Sequence, residues 1–262
     1  MKHNYLFFLI FLLSLSINLS FGQISASVVK LRENDTLTFN QIFKKYNLNK
    51  DVPTIAITWS GKWCVPCIHL INMYNACDPT MINLITINVD NPNNLQEVLN
   101  NGNDLEWNNA INFRGNLGKS PVGFNNVFNV SLAPLILYIK DGKIEEILTG
   151  YAQYPYRLVL FGKIPDVKLI WNSPNDLNSL AWYYYRERSS PEELQEAKTW
   201  VTRAIELDKN YYNMDTYSSL LFKTGEYTKA LKTAKEAIDI AKVNDIKHER
   251  TTELINKIIE QM

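Results

Sequence analysis

Short apolar runs and helical spacings of apolar residues alternate along the first 164 residues of the chain. The runs are rich in Ile, Val and Leu and are bounded by Pro, Asp, Asn or Gly, which is typical of buried strands. They predict strands at 25–31, 52–59, 81–89, 135–139 and 144–148. Helical spacing predicts helices at 38–46, from 64 to about 78, at 95–99, at 120–128 and at 156–161. Asp141-Gly142 predicts a tight hairpin turn, and the Asn- and Gly-rich residues 100–118 predict an irregular insert.

From about residue 165 the pattern changes to helices alone. The predicted helices cover residues 174–184, 191–207, 216–222, 227–241 and 245–259. Two of them start with a serine followed by a proline, at Ser173 and Ser190, which is typical of an N-cap before the first helical residue. Ala197 and Ala230 are equivalent positions separated by 33 residues, and this period resembles that of tetratricopeptide (TPR) repeats. The resemblance implies an all-α, TPR-like region of about two repeats, which we expect to gain stability from the preceding domain or from a partner.

The first 22 residues differ from both of these parts. A short basic start, an apolar segment at 5–15 and small residues around Gly22 predict a secretory signal peptide that is cleaved before Gln23. The alternative is an uncleaved membrane anchor, although the apolar segment is short for a bilayer. We therefore expect a signal peptide at 1–22, an α/β domain at 23–164 and a helical domain at 165–262. The expected location is outside the cytosol, in the periplasm.

Composition and charge narrow the function classes. Of the 262 residues, 46% are hydrophobic, so the chain can bury real cores and is not a disordered protein. The 27 basic and 27 acidic residues balance to zero net charge. We therefore expect no nucleic acid and no anionic membrane surface as a partner.

The three cysteines carry the most distinctive chemistry of the sequence. Cys64 and Cys67 are three residues apart, at the point where the strand at 52–59 gives way to a helix. The unpaired N–H groups and the dipole at a helix N-terminus stabilise a thiolate. Disulfides persist outside the cytosol. We therefore expect a dithiol/disulfide pair in which Cys64 is the exposed nucleophile and Cys67 resolves the mixed disulfide.

Two other uses of this cysteine pair are open, namely a static structural disulfide and a metal site. A zinc site needs about four converging ligands. Cys64, Cys67, His69 and Cys77 lie largely on one predicted helix, so they cannot all face one point, and no metal is expected. Cys77 itself is either an inert buried thiol or a regulatory one.

Several separate motifs complete a recognisable pattern. They are Trp63-Cys64-Val65-Pro66-Cys67, Ile87-Asn88-Val89-Asp90, Ala133-Pro134 before the strand at 135–139, and Asp141-Gly142-Lys143. They resemble motifs of the exported TlpA/ResA-like thiol–disulfide oxidoreductases, and the resemblance covers roughly residues 30–162. The resemblance implies a thioredoxin-like α/β fold, with a central mixed sheet flanked by helices, and a reaction that needs no cofactor.

The same resemblance implies roles for the residues around the cysteines. Trp63, Ala133 and Pro134 would bind the substrate, with Pro134 in a cis peptide bond opposite the cysteines. An incoming extended polypeptide would pair with the backbone beside this proline. Val65 and Pro66 lie between the two thiols and would tune the redox potential.

The sequence therefore predicts an exported thiol:disulfide oxidoreductase that acts on protein substrates with thiols or disulfides. A redox partner would reset the CxxC pair, and the helical region would hold a protein partner. The alternative is a non-catalytic interaction adaptor, with a TPR-like module on a thioredoxin-like scaffold. Thr58 keeps this alternative open, because it stands where thioredoxin has a buried aspartate that accepts a proton.

Overall fold

The computed structural model describes residues 44, 46–90, 102–114, 133–149 and 154–262. The predicted signal peptide, the strand at 25–31 and the helices at 95–99 and 120–128 lie outside the described residues, as does most of the helix at 38–46. The chain forms two compact units, one of Met1–Ile71 with Asn83–Gly150 and one of Asn72–Ile82 with Tyr151–Met262. The domain limits inferred from composition stay a prediction.

A mixed sheet of five strands forms the centre of the first unit. The strands are β1 (Thr54–Trp59), β2 (Asn83–Asn88), β3 (Ala110–Arg114), β4 (Leu135–Lys140) and β5 (Lys143–Thr149), in the spatial order β3-β2-β1-β4-β5. Strand β2 runs parallel to both β1 and β3, whereas β4 runs antiparallel to both β1 and β5. Every residue of β1 and β2 is buried, as expected for strands whose two faces are both covered.

The core of this unit collects aliphatic residues from strands β1, β2 and β4 and one aromatic residue from β3. Its buried members are Ala56, Ile85, Ile87, Phe113, Leu135, Leu137 and Ile139. A helix, α1 (Val65–Asn75), connects β1 to β2 and buries Cys67, Leu70 and Ile71. The predicted hairpin turn is confirmed, because Asp141 and Gly142 both have positive φ angles, 50° and 73°.

The predicted irregular insert at 100–118 was wrong over its central part. Residues Asn103–Leu105 form a 3-10 turn, and Ala110–Arg114 form strand β3. The composition is typical of a loop, yet Ile111 and Phe113 alternate with polar neighbours and pair with β2. The amide of Asn112 donates to the carbonyl of Asp104 at 3.1 Å, and its oxygen accepts from Thr86 at 2.6 Å. The polar side chain in this strand is therefore satisfied by its neighbours.

The second unit is helical. Its helices are α2 (Pro155–Leu160), α3 (Pro174–Glu187), α4 (Pro191–Leu207), α5 (Tyr211–Lys223), α6 (Tyr227–Val243) and α7 (Glu249–Gln261), with a 3-10 helix at Val167–Ile170. The predicted caps are confirmed, since Ser173 accepts from the N–H of Asp176 and Ser190 from that of Glu193. Helix α5 begins earlier than predicted because Asn210 caps it, with its side chain accepting from the N–H of Asn213.

Small residues allow the long helices of this unit to approach closely. Ala181, Ala197, Ala204, Ala230, Ala234 and Ala237 are completely buried. Two of these positions are the equivalent pair Ala197 and Ala230, which supports the 33-residue period. The assignment to TPR repeats stays a prediction. Within the described residues, no helix is both long and apolar enough to cross a membrane.

Candidate functional site

Cys64 and Cys67 form a disulfide at the start of helix α1. Strand β1 ends at Trp59, and the helix begins at Val65, so Cys64 directly precedes the first helical residue as predicted. The N–H of Cys67 donates to the carbonyl of Cys64 at 3.0 Å, which closes the first turn around the pair. The two Cα atoms are 5.3 Å apart. Unpaired N–H groups at a helix N-terminus stabilise a nearby thiolate, and Cys64 occupies such a position.

The turn between β1 and the cysteines is held by a buried polar network. Ser60 donates from its hydroxyl to Oδ1 of Asp90, and the N–H of Gly61 donates to Oδ2 of Asp90 at 2.7 Å. The hydroxyl oxygen of Ser60 in turn accepts from the N–H groups of Lys62 and Trp63, each at 3.2 Å. Asp90 follows strand β2 and is only 5% exposed. Because β1 and β2 are parallel neighbours, their carboxyl ends bring Ser60 and Asp90 together.

The two cysteines are buried, whereas two neighbouring side chains are exposed. Cys64 is 4% exposed and Cys67 is 0% exposed. The expectation of an exposed Cys64 was therefore wrong for this disulfide form. Trp63 and Val65 are 55% and 76% exposed, so an apolar rim stands beside the disulfide. Each of the two is adjacent to Cys64 in the sequence.

Pro134 lies at the same end of the sheet as the cysteines. Strand β4 is antiparallel to β1, and Ile57 pairs with Ile136. The residues just before β4 therefore lie beside the end of β1, from which the chain continues to Cys64. The Ala133–Pro134 peptide bond is cis, as the resemblance implied.

Thr58 fixes the start of β4 to the end of β1. Its Oγ1 accepts from the N–H of Leu135 at 2.7 Å and donates to the carbonyl of Leu135 at 3.4 Å. Thr58 is 1% exposed. The side chain therefore extends the pairing of the two strands by one residue beyond Ile57, next to the cis-proline. Sequence reasoning treated Thr58 only as a missing aspartate and did not foresee this contact.

Cys77 is a free, buried thiol in the second unit. Its sulfur donates to the carbonyl of Met73 at 3.4 Å. Burial raises the pKa of the Cys77 thiol well above its usual range, and the nearby carboxylates of Asp176 and Asp78 raise this pKa further. A thiol that stays protonated is a poor nucleophile. The structure thus favours the inert interpretation of Cys77 over the regulatory one.

Among the described residues, no group of three or more His, Cys, Asp or Glu side chains could hold a metal ion. His69, which the sequence placed near the cysteines, is exposed on α1.

No protein-family model matches the chain, and no curated protein matches it. Among solved structures, the crystal structure of StoA from Bacillus subtilis is similar at 20% sequence identity, over 44% of this chain and 84% of the StoA chain, with a TM-score of 0.33. A likeness of this level carries no argument by itself. The architecture of the first unit, a mixed five-stranded sheet flanked by helices, is compatible with a thioredoxin-like α/β fold.

Proposed function

We propose that the chain is an exported thiol:disulfide oxidoreductase. The observation that carries the proposal is the Cys64–Cys67 disulfide at the N-terminus of α1, directly after a fully buried strand. A disulfide between residues only three apart closes a very short loop and adds little chain-entropy stabilisation. Its position at a helix N-terminus instead favours the thiolate needed for exchange.

The proposed reaction transfers two electrons between the cysteine pair and a protein disulfide. In the reducing direction, the Cys64 thiolate attacks one sulfur of the substrate disulfide and releases the other sulfur as a thiolate. The Cys67 thiol then loses its proton and attacks the sulfur of Cys64. The Cys64–Cys67 disulfide forms, and the substrate leaves with both sulfurs reduced. A dithiol protein must then reduce the pair again, and the reverse direction is chemically equivalent.

The neighbouring residues would bind the substrate and tune the pair. Trp63 would give an apolar side chain of the substrate a platform, and the backbone at Ala133 and Pro134 would pair with an extended segment. Val65 and Pro66, which separate the thiols, would set the redox potential. The exposure of Trp63 supports its part in this proposal.

A reductase assay tests the proposal directly. Reduction of insulin disulfides by the full chain without its first 22 residues, with dithiothreitol as the electron source, is expected to exceed the rate with dithiothreitol alone. C64S is expected to abolish this gain, because no nucleophile remains. C77A is the matched control, since it also removes a cysteine but leaves the pair intact. Activity that survives C64S would refute the proposal.

A trapping experiment identifies the substrates. C67S is expected to accumulate mixed disulfides between Cys64 and substrate proteins, because the resolving thiol is gone. Mass spectrometry of complexes released by reduction would name them. The double variant C64S/C67S controls for non-covalent capture.

A second candidate is the non-catalytic adaptor. The observation that favours it is the burial of both cysteines, which a substrate disulfide cannot reach without local movement. The second unit also has a groove of about 500 Å³ along α4, lined by residues such as Lys198, Tyr217 and Lys229, where a partner could bind. Under this proposal the reductase assay shows no gain, C67S traps nothing, and C64S/C67S binds the same partner as the wild type.

A further inference from the structure

Among the described residues, only uncharged groups donate hydrogen bonds to the buried carboxylate of Asp90. Its Oδ1 accepts from the hydroxyl of Ser60, and its Oδ2 accepts from the N–H of Gly61 at 2.7 Å and from Nδ2 of Asn88 at 2.9 Å. Within the described part of the chain, no Lys, Arg or His forms an ion pair with it. A charge that is 5% exposed and not paired with a cation is costly to bury. The three hydrogen bonds must offset that cost, which ties Asp90 firmly to the turn before the cysteines.

The contacts continue from Asp90 to Cys64 without a gap. Ser60, held by Asp90, accepts at its hydroxyl oxygen from the N–H groups of Lys62 and Trp63, and its carbonyl accepts from the N–H of Cys64 at 3.3 Å. Four successive backbone N–H groups, from Gly61 to Cys64, therefore point at either Asp90 or Ser60. The position of Cys64 at the start of α1 depends on this arrangement, since nothing else in the turn is regular secondary structure.

We propose that Asp90 is the positioning residue of the cysteine pair, and that its fixed negative charge makes the pair more reducing. This inference rests on the proposed function. Asp90 acts through Ser60 and Gly61 and does not touch the sulfurs. A nearby negative charge disfavours the Cys64 thiolate. Because a stabilised thiolate makes a dithiol a stronger oxidant, a destabilised one lowers the reduction potential.

Two variants separate the effect of the Asp90 charge from the effect of its hydrogen-bonded link to the turn before Cys64. D90N keeps the size of the side chain and an oxygen acceptor but removes the charge. S60A keeps the charge but removes the hydroxyl that links Asp90 to Lys62 and Trp63. D141N is the matched control, because it removes an acidic side chain at the far end of β4, where asparagine tolerates the positive φ angle.

The first readout is the equilibrium between the Cys64–Cys67 disulfide and the dithiol in glutathione buffers, followed by alkylation and mass spectrometry. D90N is expected to shift the equilibrium about tenfold toward the dithiol, which corresponds to a potential about 30 mV higher. D141N is expected to stay within about twofold of the wild type, whereas S60A is expected to shift the equilibrium in the opposite direction to D90N, toward the disulfide, because its Cys64 thiolate is less stable. A D90N equilibrium equal to the wild type would overturn the charge role.

The second readout is the rate at which Cys64 of the reduced protein reacts with iodoacetamide at pH 7. S60A is expected to slow this reaction about tenfold. The turn loses the hydroxyl that accepts from the N–H groups of Lys62 and Trp63, so Cys64 is no longer held at the helix N-terminus that stabilises its thiolate. An unchanged rate in S60A would overturn the positioning role, even if D90N fails to fold. Neither readout needs a protein substrate, so a chain without reductase activity would refute the proposed function and still test this inference.

Discussion

Replacing Thr58 by valine is the sharpest test of how the end of β1, which leads to Cys64, is joined to the start of β4, which follows Pro134. Valine has nearly the shape of threonine but lacks the hydroxyl, so T58V leaves no cavity. The hydroxyl is what connects the end of β1 to Leu135, the first residue of β4, next to the cis-proline. The variant therefore tests a polar contact with little change in packing.

The expected cost follows from the two hydrogen bonds. The bond from the Leu135 N–H is 2.7 Å long, whereas the bond to its carbonyl is 3.4 Å long and is weak. Leu135 is 1% exposed, so water cannot replace the lost acceptor. An unsatisfied buried donor costs about 1–3 kcal/mol. We expect T58V to lower the free energy of opening of this sheet region by about 2 kcal/mol.

Hydrogen exchange followed by mass spectrometry measures this loss in the full chain. A loss of about 2 kcal/mol makes exchange about 30-fold faster in peptides that cover β1 and β4. T58S is the matched control, because it keeps the hydroxyl and loses only a methyl group, at about 1 kcal/mol. The reasoning is refuted if β1 and β4 exchange no faster in T58V than in T58S.

Three further predictions concern the second unit. Hydrogen bonds from Lys198, the larger cause, and from Lys229 lower the pKa of Glu226 from 4.5 to about 2. The Glu226 carboxylate therefore adds stability that is present above pH 4.5 and is lost as the pH falls through 2. The Glu226 side chain is 30% exposed, so solvent screening limits its contribution to the free energy of unfolding to about 1 kcal/mol. In urea titrations, E226Q is expected to lower the free energy of unfolding by about 1 kcal/mol at pH 7 but not at pH 2. Cys77 is expected to stay unreactive toward Ellman's reagent at pH 8 in a variant without the CxxC pair, and to react once urea unfolds the chain; rapid reaction in the native state would contradict the raised pKa. Ala234 is completely buried, so A234L is expected to destabilise the helices by about 1–3 kcal/mol in urea titrations followed by circular dichroism, whereas an unchanged midpoint would show that space remains there.

Local patterns were enough to predict most of the described elements. Strands β1 and β2 are recognisable because a buried parallel strand is apolar along its whole length. The turn at Asp141-Gly142 and the caps at Ser173 and Ser190 follow from residue preferences that act over a few positions. For the same reason, Cys64 could be placed at a strand–helix junction before the structure was known.

Elements that depend on distant partners could not be predicted in this way. Strand β3 has a loop-like composition and is a strand because β2 offers an unpaired edge to Ile111 and Phe113. The burial of Cys64 likewise follows from the packing of the folded chain rather than from its neighbours in sequence, which include the exposed Trp63 and Val65.

The sequence by itself determined that a cysteine pair stands between a buried strand and a helix, and that a helical region with a 33-residue period follows. Those features are local, because apolar periodicity, caps and turns act over a few residues. Only the tertiary structure decided what surrounds the pair. Asp90 reaches Ser60 across 30 residues and Thr58 reaches Leu135 across 77 residues, because the sheet places the ends of β1, β2 and β4 at one edge. Polar contacts of such long sequence separation leave no periodic signal in the chain, and their partners become visible only once the strand order is known.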